Sequence, residues 1–217
     1  MTDLLFVNAS PRGEASESLR LAEALLDAHV EASPSVQIDR LDLFEDSLAP
    51  FGRQAALAKM EVIAGREPDA DLAHAWRDVQ EVGERVLRAR TLLFTVPMWN
   101  AGIPWALKHF VDTVTQPGLA FRFDPKTGYH GLLGGRRAVA IYTSRVYREG
   151  VEPAFGVDFH ARYFDYWLRF CGIEEIHDVR LQPTFPDPDF AQRRDEALTE
   201  ARSLGRALAD SRAELCS

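Results

Sequence analysis

Residues 4–18 of the 217-residue chain read LLFVNASPRGEASES and join an apolar run to a polar turn and a helix. The run at residues 4–7 has the length and unbroken apolar character of a strand buried on both faces. From about residue 16 to residue 31, apolar residues recur at helical spacing, which predicts an amphipathic helix. A buried strand followed directly by such a helix is typical of a parallel sheet covered by helices.

The same alternation continues to the end of the chain. Strands are predicted at residues 36–43, 92–96, 138–142 and 176–181, of which 92–96 and 138–142 have the apolar character of buried strands. Helices are predicted at residues 51–65, 72–90, from Pro104 to just before Pro117, 158–171 and 189–214. Residues 119–135 are predicted to be an irregular insert with a turn at 124–128. We therefore expect one α/β domain over residues 1–217, with a doubly wound five-stranded parallel sheet in the order 2-1-3-4-5 and helices on both faces.

Composition excludes several classes of protein. A net charge of -8 argues against broad nucleic-acid binding, which needs a basic face. No apolar run approaches the roughly 20 residues that cross a bilayer, so we expect no membrane partner. The start of the chain has no secretory signal pattern. The two cysteines, Cys171 and Cys216, form no disulfide framework, and we expect one buried thiol, one loose thiol and a cytoplasmic protein.

A doubly wound sheet binds ligands beyond the carboxyl ends of its strands, where the strand order reverses. The candidate loops follow Val7, Val96 and Tyr142. In the first loop, Ser10, Ser16 and Ser18 surround a helix start, whose free N–H groups attract anions. The loop lacks the glycines of dinucleotide and P-loop motifs, so it suits a terminal monophosphate such as that of FMN. The alternative is that a serine only caps the helix.

The other two loops have the composition of a ring-binding site. In the second loop, Trp99 offers an aromatic surface, Asn100 offers polar groups, and Gly102 allows a tight turn. The alternative is a turn with a core tryptophan. In the third loop, Ser144 and nearby N–H groups are candidates to bond the polar edge of a flavin, and the alternative is a solvated loop.

Together these segments resemble the FMN-dependent NADH:quinone oxidoreductases, also called azoreductases, of the flavodoxin-like superfamily. The resemblance covers nearly the whole chain. It is carried by Asn8-Ala9-Ser10-Pro11-Arg12 with Ser16 and Ser18, by Pro97-Met98-Trp99-Asn100 with Ile103-Pro104, and by Thr143-Ser144-Arg145. It implies a flavodoxin-like fold and a homodimer with the flavins near the subunit interface. It also implies ping-pong transfer of two electrons from NADH or NADPH to quinones or azo compounds.

The resemblance also implies which residues hold FMN. Ser10, Ser16, Glu17 and Ser18 match positions that bind the phosphate. Met98, Trp99, Asn100 and Ala101 match the loop along the isoalloxazine, and Ser144 and Arg145 match the loop at its far edge. The chain departs from the family in having Trp99 where Tyr is frequent, Ala101 where Phe is frequent, and Val146-Tyr147 in place of two glycines.

No protein nucleophile or metal is needed for this chemistry, and the sequence has no G-x-S-x-G or H-E-x-x-H motif. His109 and His177 are interpreted as structural or solvent-facing, so we name no catalytic residue. The residues Phe121–Phe123 either cover the flavin ring, touch a partner, or hold the insert down. Two other functions stay open: an FMN electron carrier of the flavodoxin type, or an interaction protein that has lost the cofactor.

Overall fold

The computed structural model describes residues 2–46, 48 and 50–214, so Cys216 lies outside the described residues. The described part of the chain contains strands β1 (Thr2–Asn8), β2 (Ile38–Asp42), β3 (Ala89–Pro97), β4 (Phe121–Asp124), β5 (Gly128–Gly131), β6 (Arg137–Thr143) and β7 (Glu175–Leu181). Its α-helices are α1 (Glu17–Ala32), α2 (Arg53–Ile63), α3 (Ala70–Arg88), α4 (Trp105–Val114), α5 (Ala161–Phe170) and α6 (Phe190–Glu214).

Five parallel strands form the main sheet in the order β2-β1-β3-β6-β7. This is the predicted order 2-1-3-4-5, because the predicted numbering did not include the two strands of the insert. Side chains of β1 alternate between the two faces of the sheet, and both faces are covered, which is why residues 4–7 are all apolar. Leu4 and Phe6 pack in a core with α1 and α6, while Leu5 and Val7 pack in a second core with α3, α4 and α5.

The insert is more regular than predicted, because β4 and β5 pair as an antiparallel hairpin. Its turn is built by Asp124, whose carboxylate accepts hydrogen bonds from Lys126 N–H at 2.7 Å and Thr127 N–H at 3.1 Å. Phe121 packs against Phe170 of α5, with the ring centroids 5.4 Å apart. Phe121 therefore helps to hold the insert down, whereas the side chain of Phe123 is exposed.

The start of α5 differs from its predicted position. Helix α5 begins at Ala161 and not at residue 158, because the carboxylate of Asp158 accepts hydrogen bonds from His160 N–H and Ala161 N–H and so caps the helix from outside. Phe164 and Trp167 of α5 are buried, whereas Trp105 at the start of α4 is 64% exposed.

Cys171 follows the last turn of α5 and is fully buried. Burial raises the pKa of its thiol to about 12, because an ionised sulfur would be poorly solvated there. The sulfur is therefore held as a neutral thiol in the core. No helix among the described residues is both long enough and apolar enough to span a bilayer.

Candidate cofactor site

The loop between β1 and α1 is fixed by the amide of Asn8. The amide oxygen accepts hydrogen bonds from the Thr95 hydroxyl at 2.8 Å and from Ser10 N–H at 3.2 Å. The amide nitrogen donates to the Asp42 carboxylate at 2.6 Å and to the Ser10 carbonyl at 3.2 Å. Asn8 thus links the carboxyl ends of β1, β2 and β3 and sets the position of Ser10.

A chain of three buried serine hydroxyls follows at the start of α1. Ser10 Oγ donates to Ser16 Oγ at 2.8 Å, and Ser16 Oγ lies 3.1 Å from Ser18 Oγ. Ser16 is also the helix cap, because its hydroxyl accepts a hydrogen bond from Leu19 N–H. Ser16 therefore acts as a helix cap, as the alternative predicted. The Ser18 hydroxyl and the N–H groups of Glu17 and Ser18 have no backbone acceptors in the described chain.

The loop between β3 and α4 is a strained two-residue turn. Trp99 and Gly102 exchange backbone hydrogen bonds of 2.8 and 2.9 Å. Between them, Asn100 and Ala101 have positive φ angles of 49° and 67°. Positive φ is ordinary for Asn in a turn but costs energy for Ala, whose Cβ crowds the backbone. Such strain is typical of sites where the backbone conformation serves a function.

Aromatic side chains cover this turn on one side. The ring of Phe44, from the segment after β2, lies 6.1 Å from the ring of Trp99 and 5.9 Å from that of Trp105. Trp99 thus belongs to an aromatic wall beside the turn and is only partly buried, contrary to the core-tryptophan alternative. Sequence reasoning did not find Phe44, because nothing local to β2 indicates contact with the loop after β3.

The loop after β6 is tied to its neighbours by backbone hydrogen bonds. Met98 N–H donates to the Thr143 carbonyl at 2.7 Å, and Thr184 N–H donates to the Ser144 carbonyl at 2.8 Å. The Ser144 hydroxyl donates to the Tyr147 carbonyl, so it is already engaged within its own loop. The Arg145 guanidinium lies over the Phe185 ring, 5.2 Å from its centroid.

These loops converge on one cleft of about 120 Å³. Its lining residues are Ser10, Pro11, Arg12, Ser16, Glu17, Ser18, Pro97, Met98, Trp99, Thr143, Ser144, Arg145 and Thr184. The structure thus brings together eight of the ten predicted site residues, and it leaves Asn100 and Ala101 in the adjoining turn. Thr184 was missed; its position in the loop after β7, three residues beyond the end of that strand, was the available signal.

Glu17 lies between Ser16 and Ser18 in the sequence, and its carboxylate is turned toward cations of α1 and α6. Its oxygens lie 3.7 Å from Arg20 Nε and 3.9 Å from Arg194 Nη1. Both distances are within reach of an ion pair but too long for a hydrogen bond. One of the oxygens, Oε2, is fully buried and has no hydrogen-bond partner in the part of the chain that the structure describes.

The segment before α5 supports the strained turn. Phe159 N–H donates to the Ala101 carbonyl at 3.1 Å, and Nε2 of the fully buried His160 is hydrogen-bonded to the Val96 carbonyl. Since a carbonyl only accepts, this nitrogen carries the proton. Burial lowers the pKa of His160 to about 4. The hydrogen bond to Val96 and the charge of Asp158 oppose this decrease, and the charge of Arg180 adds to it. The Tyr142 ring packs edge-on against the imidazole.

The two histidines considered in the sequence analysis lie away from the cleft. His109 accepts a hydrogen bond from Phe51 N–H at 3.1 Å, and His177 pairs with Glu175 at 3.1 Å on the outer strand β7. Within residues 2–46, 48 and 50–214, no group of three or more His, Cys, Asp or Glu side chains is arranged to hold a metal ion.

A family model described as a flavodoxin-like fold matches residues 2–204. The chain belongs to the flavodoxin-like family. It is 41% identical to an FMN-dependent NADH:quinone oxidoreductase of Ruegeria pomeroyi, over 91% of this chain and 97% of that protein. It is 35% identical to a protein of the same name from Desulfotalea psychrophila, over 96% of this chain and 98% of the relative.

Solved structures agree with this family assignment. An azoreductase from Bacillus anthracis str. Sterne superposes with a TM-score of 0.86 and 25% identity, covering 95% of this chain and all of that one. An FMN-dependent NADH-azoreductase from Bacillus anthracis str. Ames Ancestor, solved in complex with FMN, gives a TM-score of 0.85 at 25% identity, covering 96% and 100% of the two chains.

Replacing Ala101 with glycine tests the strain in the turn. We expect Ala101→Gly to raise the free energy of unfolding by about 0.5–1 kcal/mol, because relief of the positive φ outweighs the added flexibility of the unfolded chain. The matched control is Ala64→Gly, since Ala64 directly follows α2 with a φ of -80° and carries no such strain. Urea unfolding measures both variants, and an Ala101→Gly protein less stable than the parent would contradict the assignment.

His160 should make the stability of the protein depend on pH. Its pKa is about 4 in the folded chain, against 6.5 for a solvated imidazole in the unfolded chain, so between these values only the unfolded chain gains a proton. The contribution of the neutral imidazole to the free energy of unfolding is complete above pH 6.5 and is lost as the pH falls toward 4. Between pH 7.5 and 5.0, we expect the parent to lose about 2 kcal/mol more than His160→Gln in urea unfolding.

The control for this measurement is His74→Gln, because the His74 side chain is 74% exposed. This variant should keep the pH dependence of the parent. Parallel pH profiles for the parent and His160→Gln would show that the buried imidazole does not act in this way.

Proposed function

We propose that this chain is a cytoplasmic FMN enzyme that passes two electrons from NADH or NADPH to quinones or azo compounds by a ping-pong mechanism. The proposal includes a single domain over residues 1–217, a doubly wound path of the chain, and a homodimer. The observation that carries it is the chain of serine hydroxyls at the start of α1, which lies where the three strand-end loops meet.

The groups at the start of α1 fit a phosphate. Ser10, Ser16 and Ser18 hydrogen-bond one another, so their hydroxyls can turn to donate to an entering anion. The N–H groups of Glu17 and Ser18 and the positive end of the helix dipole add to the attraction. Most of these donors are uncharged, so the net charge of -8 does not oppose local anion binding.

The strained turn provides donors for the ring of the cofactor. The N–H groups of Asn100 and Ala101 have no backbone acceptor among the described residues. Contacts with Phe159 and His160 hold this turn and the end of β3 in place. Bound FMN supplies the redox chemistry, and this chain's residues supply its position and its electrostatic surroundings.

The aromatic wall of Phe44, Trp99 and Trp105 suits a flat conjugated acceptor. A single cleft shared by donor and acceptor in turn is consistent with ping-pong kinetics. The volume of about 120 Å³ is small beside the roughly 300–1,000 Å³ of most small-molecule sites. Exposed aromatic residues such as Trp105, Tyr129 and Phe159 offer surface for a second copy of the chain, which would deepen the cleft.

The enzyme is distinguished from an electron carrier by its reaction with nicotinamides. We expect NADH or NADPH, mixed anaerobically with the FMN-loaded protein, to bleach the flavin absorbance within seconds. Addition of a quinone should then restore the absorbance without a further nicotinamide. Binding of FMN without rapid bleaching would favour a carrier, and failure to take up FMN would favour an interaction protein.

The serine hydroxyls are tested by titration with flavins. We expect the double change Ser16→Ala with Ser18→Ala to weaken FMN binding by roughly 1–3 kcal/mol, because hydrogen bonds to a charged group are lost. Fluorescence titration with FMN and with riboflavin, which lacks the phosphate, gives the comparison. The matched control is Ser203→Ala on α6, away from the cleft. Equal FMN affinity in parent and double variant would remove the serines from the phosphate site.

A further inference from the structure

Glu17 adds a carboxylate to a cleft whose other groups attract an anion, and this carboxylate is turned toward Arg20 and Arg194. The residue forms part of the cleft wall, between Ser16 and Ser18, whose hydroxyl oxygens lie only 3.1 Å apart. Its side chain is 18% exposed, so solvent screens it only partly. A buried negative charge next to a phosphate site raises the energy of the bound dianion.

The cations near Glu17 weaken the effect of its charge without removing it. The nearest oxygen–nitrogen distances, 3.7 Å to Arg20 and 3.9 Å to Arg194, exceed hydrogen-bond length. The Arg20 and Arg194 side chains are 49% and 33% exposed, so part of their field is lost to water. Among the described residues, Oε2 of Glu17 has no hydrogen-bond partner. Two guanidinium groups face one carboxylate, so the local net charge is positive, and the carboxylate makes it less positive than an uncharged side chain would.

Without a ligand, the same carboxylate stabilises the helix. A negative side chain in the first turn interacts favourably with the positive end of the helix dipole. An entering phosphate occupies the same positive end, so the two negative groups compete for it. The effects of Glu17 on the empty protein and on ligand binding should therefore have opposite signs.

We propose that Glu17 is a specificity-determining residue that lowers the affinity of the cleft for the phosphorylated flavin. This inference rests on the proposed function and assigns the side chain of Glu17 a role opposite to that of its neighbours. The backbone N–H of Glu17 attracts the phosphate, and its carboxylate repels it. The cleft thus holds FMN less tightly than its hydroxyls and N–H groups alone would allow.

The test compares FMN with riboflavin in Glu17→Gln, which keeps the size of the side chain and removes its charge. We expect the dissociation constant for FMN to fall by roughly fivefold to tenfold, while that for riboflavin changes little. The melting temperature of the cofactor-free variant should fall by about 1–4 °C, because the helix start loses its compensating charge. Fluorescence titration and thermal unfolding give the two readouts independently of activity.

Further variants complete the test. Glu14→Gln removes a charge from an exposed side chain of the same loop and should leave both flavin affinities within about twofold of the parent. Arg194→Gln removes part of the compensation and should weaken binding of FMN but not of riboflavin. Loss of this cation would weaken phosphate binding whether or not Glu17 acts, so Glu17→Ala, which also removes the negative charge, is the second test if Glu17→Gln folds poorly.

Each outcome has a defined meaning. Tighter FMN binding by Glu17→Gln alone, with riboflavin unchanged, supports the proposal. Unchanged or weaker FMN binding overturns it, and so does equal tightening of both flavins, since the change would then not act on the phosphate. If the parent binds FMN normally in any of these cases, the proposed function stands. A parent that binds neither flavin removes both.

Discussion

The side-chain amide of Asn8 is the interaction on which the cleft depends. Its oxygen and nitrogen make two hydrogen bonds each, reaching Thr95, Asp42 and the backbone of Ser10. A buried amide satisfied in this way has one favourable orientation, and any unpaired atom would carry a desolvation cost. The three strand ends and the serine loop are therefore held at a single relative position before any ligand arrives.

Around this fixed point, the chain combines attraction and strain. The donors at the start of α1 are mostly uncharged, so the chain keeps its acidic character while offering a local site for an anion. The backbone at Asn100 and Ala101 is held with positive φ, and its neighbours Phe159 and His160 bond the turn and the strand that leads to it. The parallel sheet around the turn is rigid enough to hold this backbone conformation despite its higher energy.

Much of the fold followed from periodicity. The order of the parallel strands and the loops that bear Ser10, Trp99 and Ser144 could be predicted, because apolar runs and helical spacing are local signals and the sheet topology is limited by chirality. The hairpin of β4 and β5 was missed, since four-residue strands give a weak pattern. Phe44 and His160 reach the cleft or its supporting loops through tertiary contacts, which no local pattern of the sequence encodes.

The burial of Cys171 has a consequence for the proposed reduction of quinones. Quinones are electrophiles that form covalent adducts with thiolates, so a protein that reduces them is exposed to damage from its own substrate. Cys171 is fully covered and its pKa is raised to about 12, which removes both access and the reactive ionised form. The thiol can therefore pack as an apolar group in the core while remaining inert toward the compounds that reach the cleft.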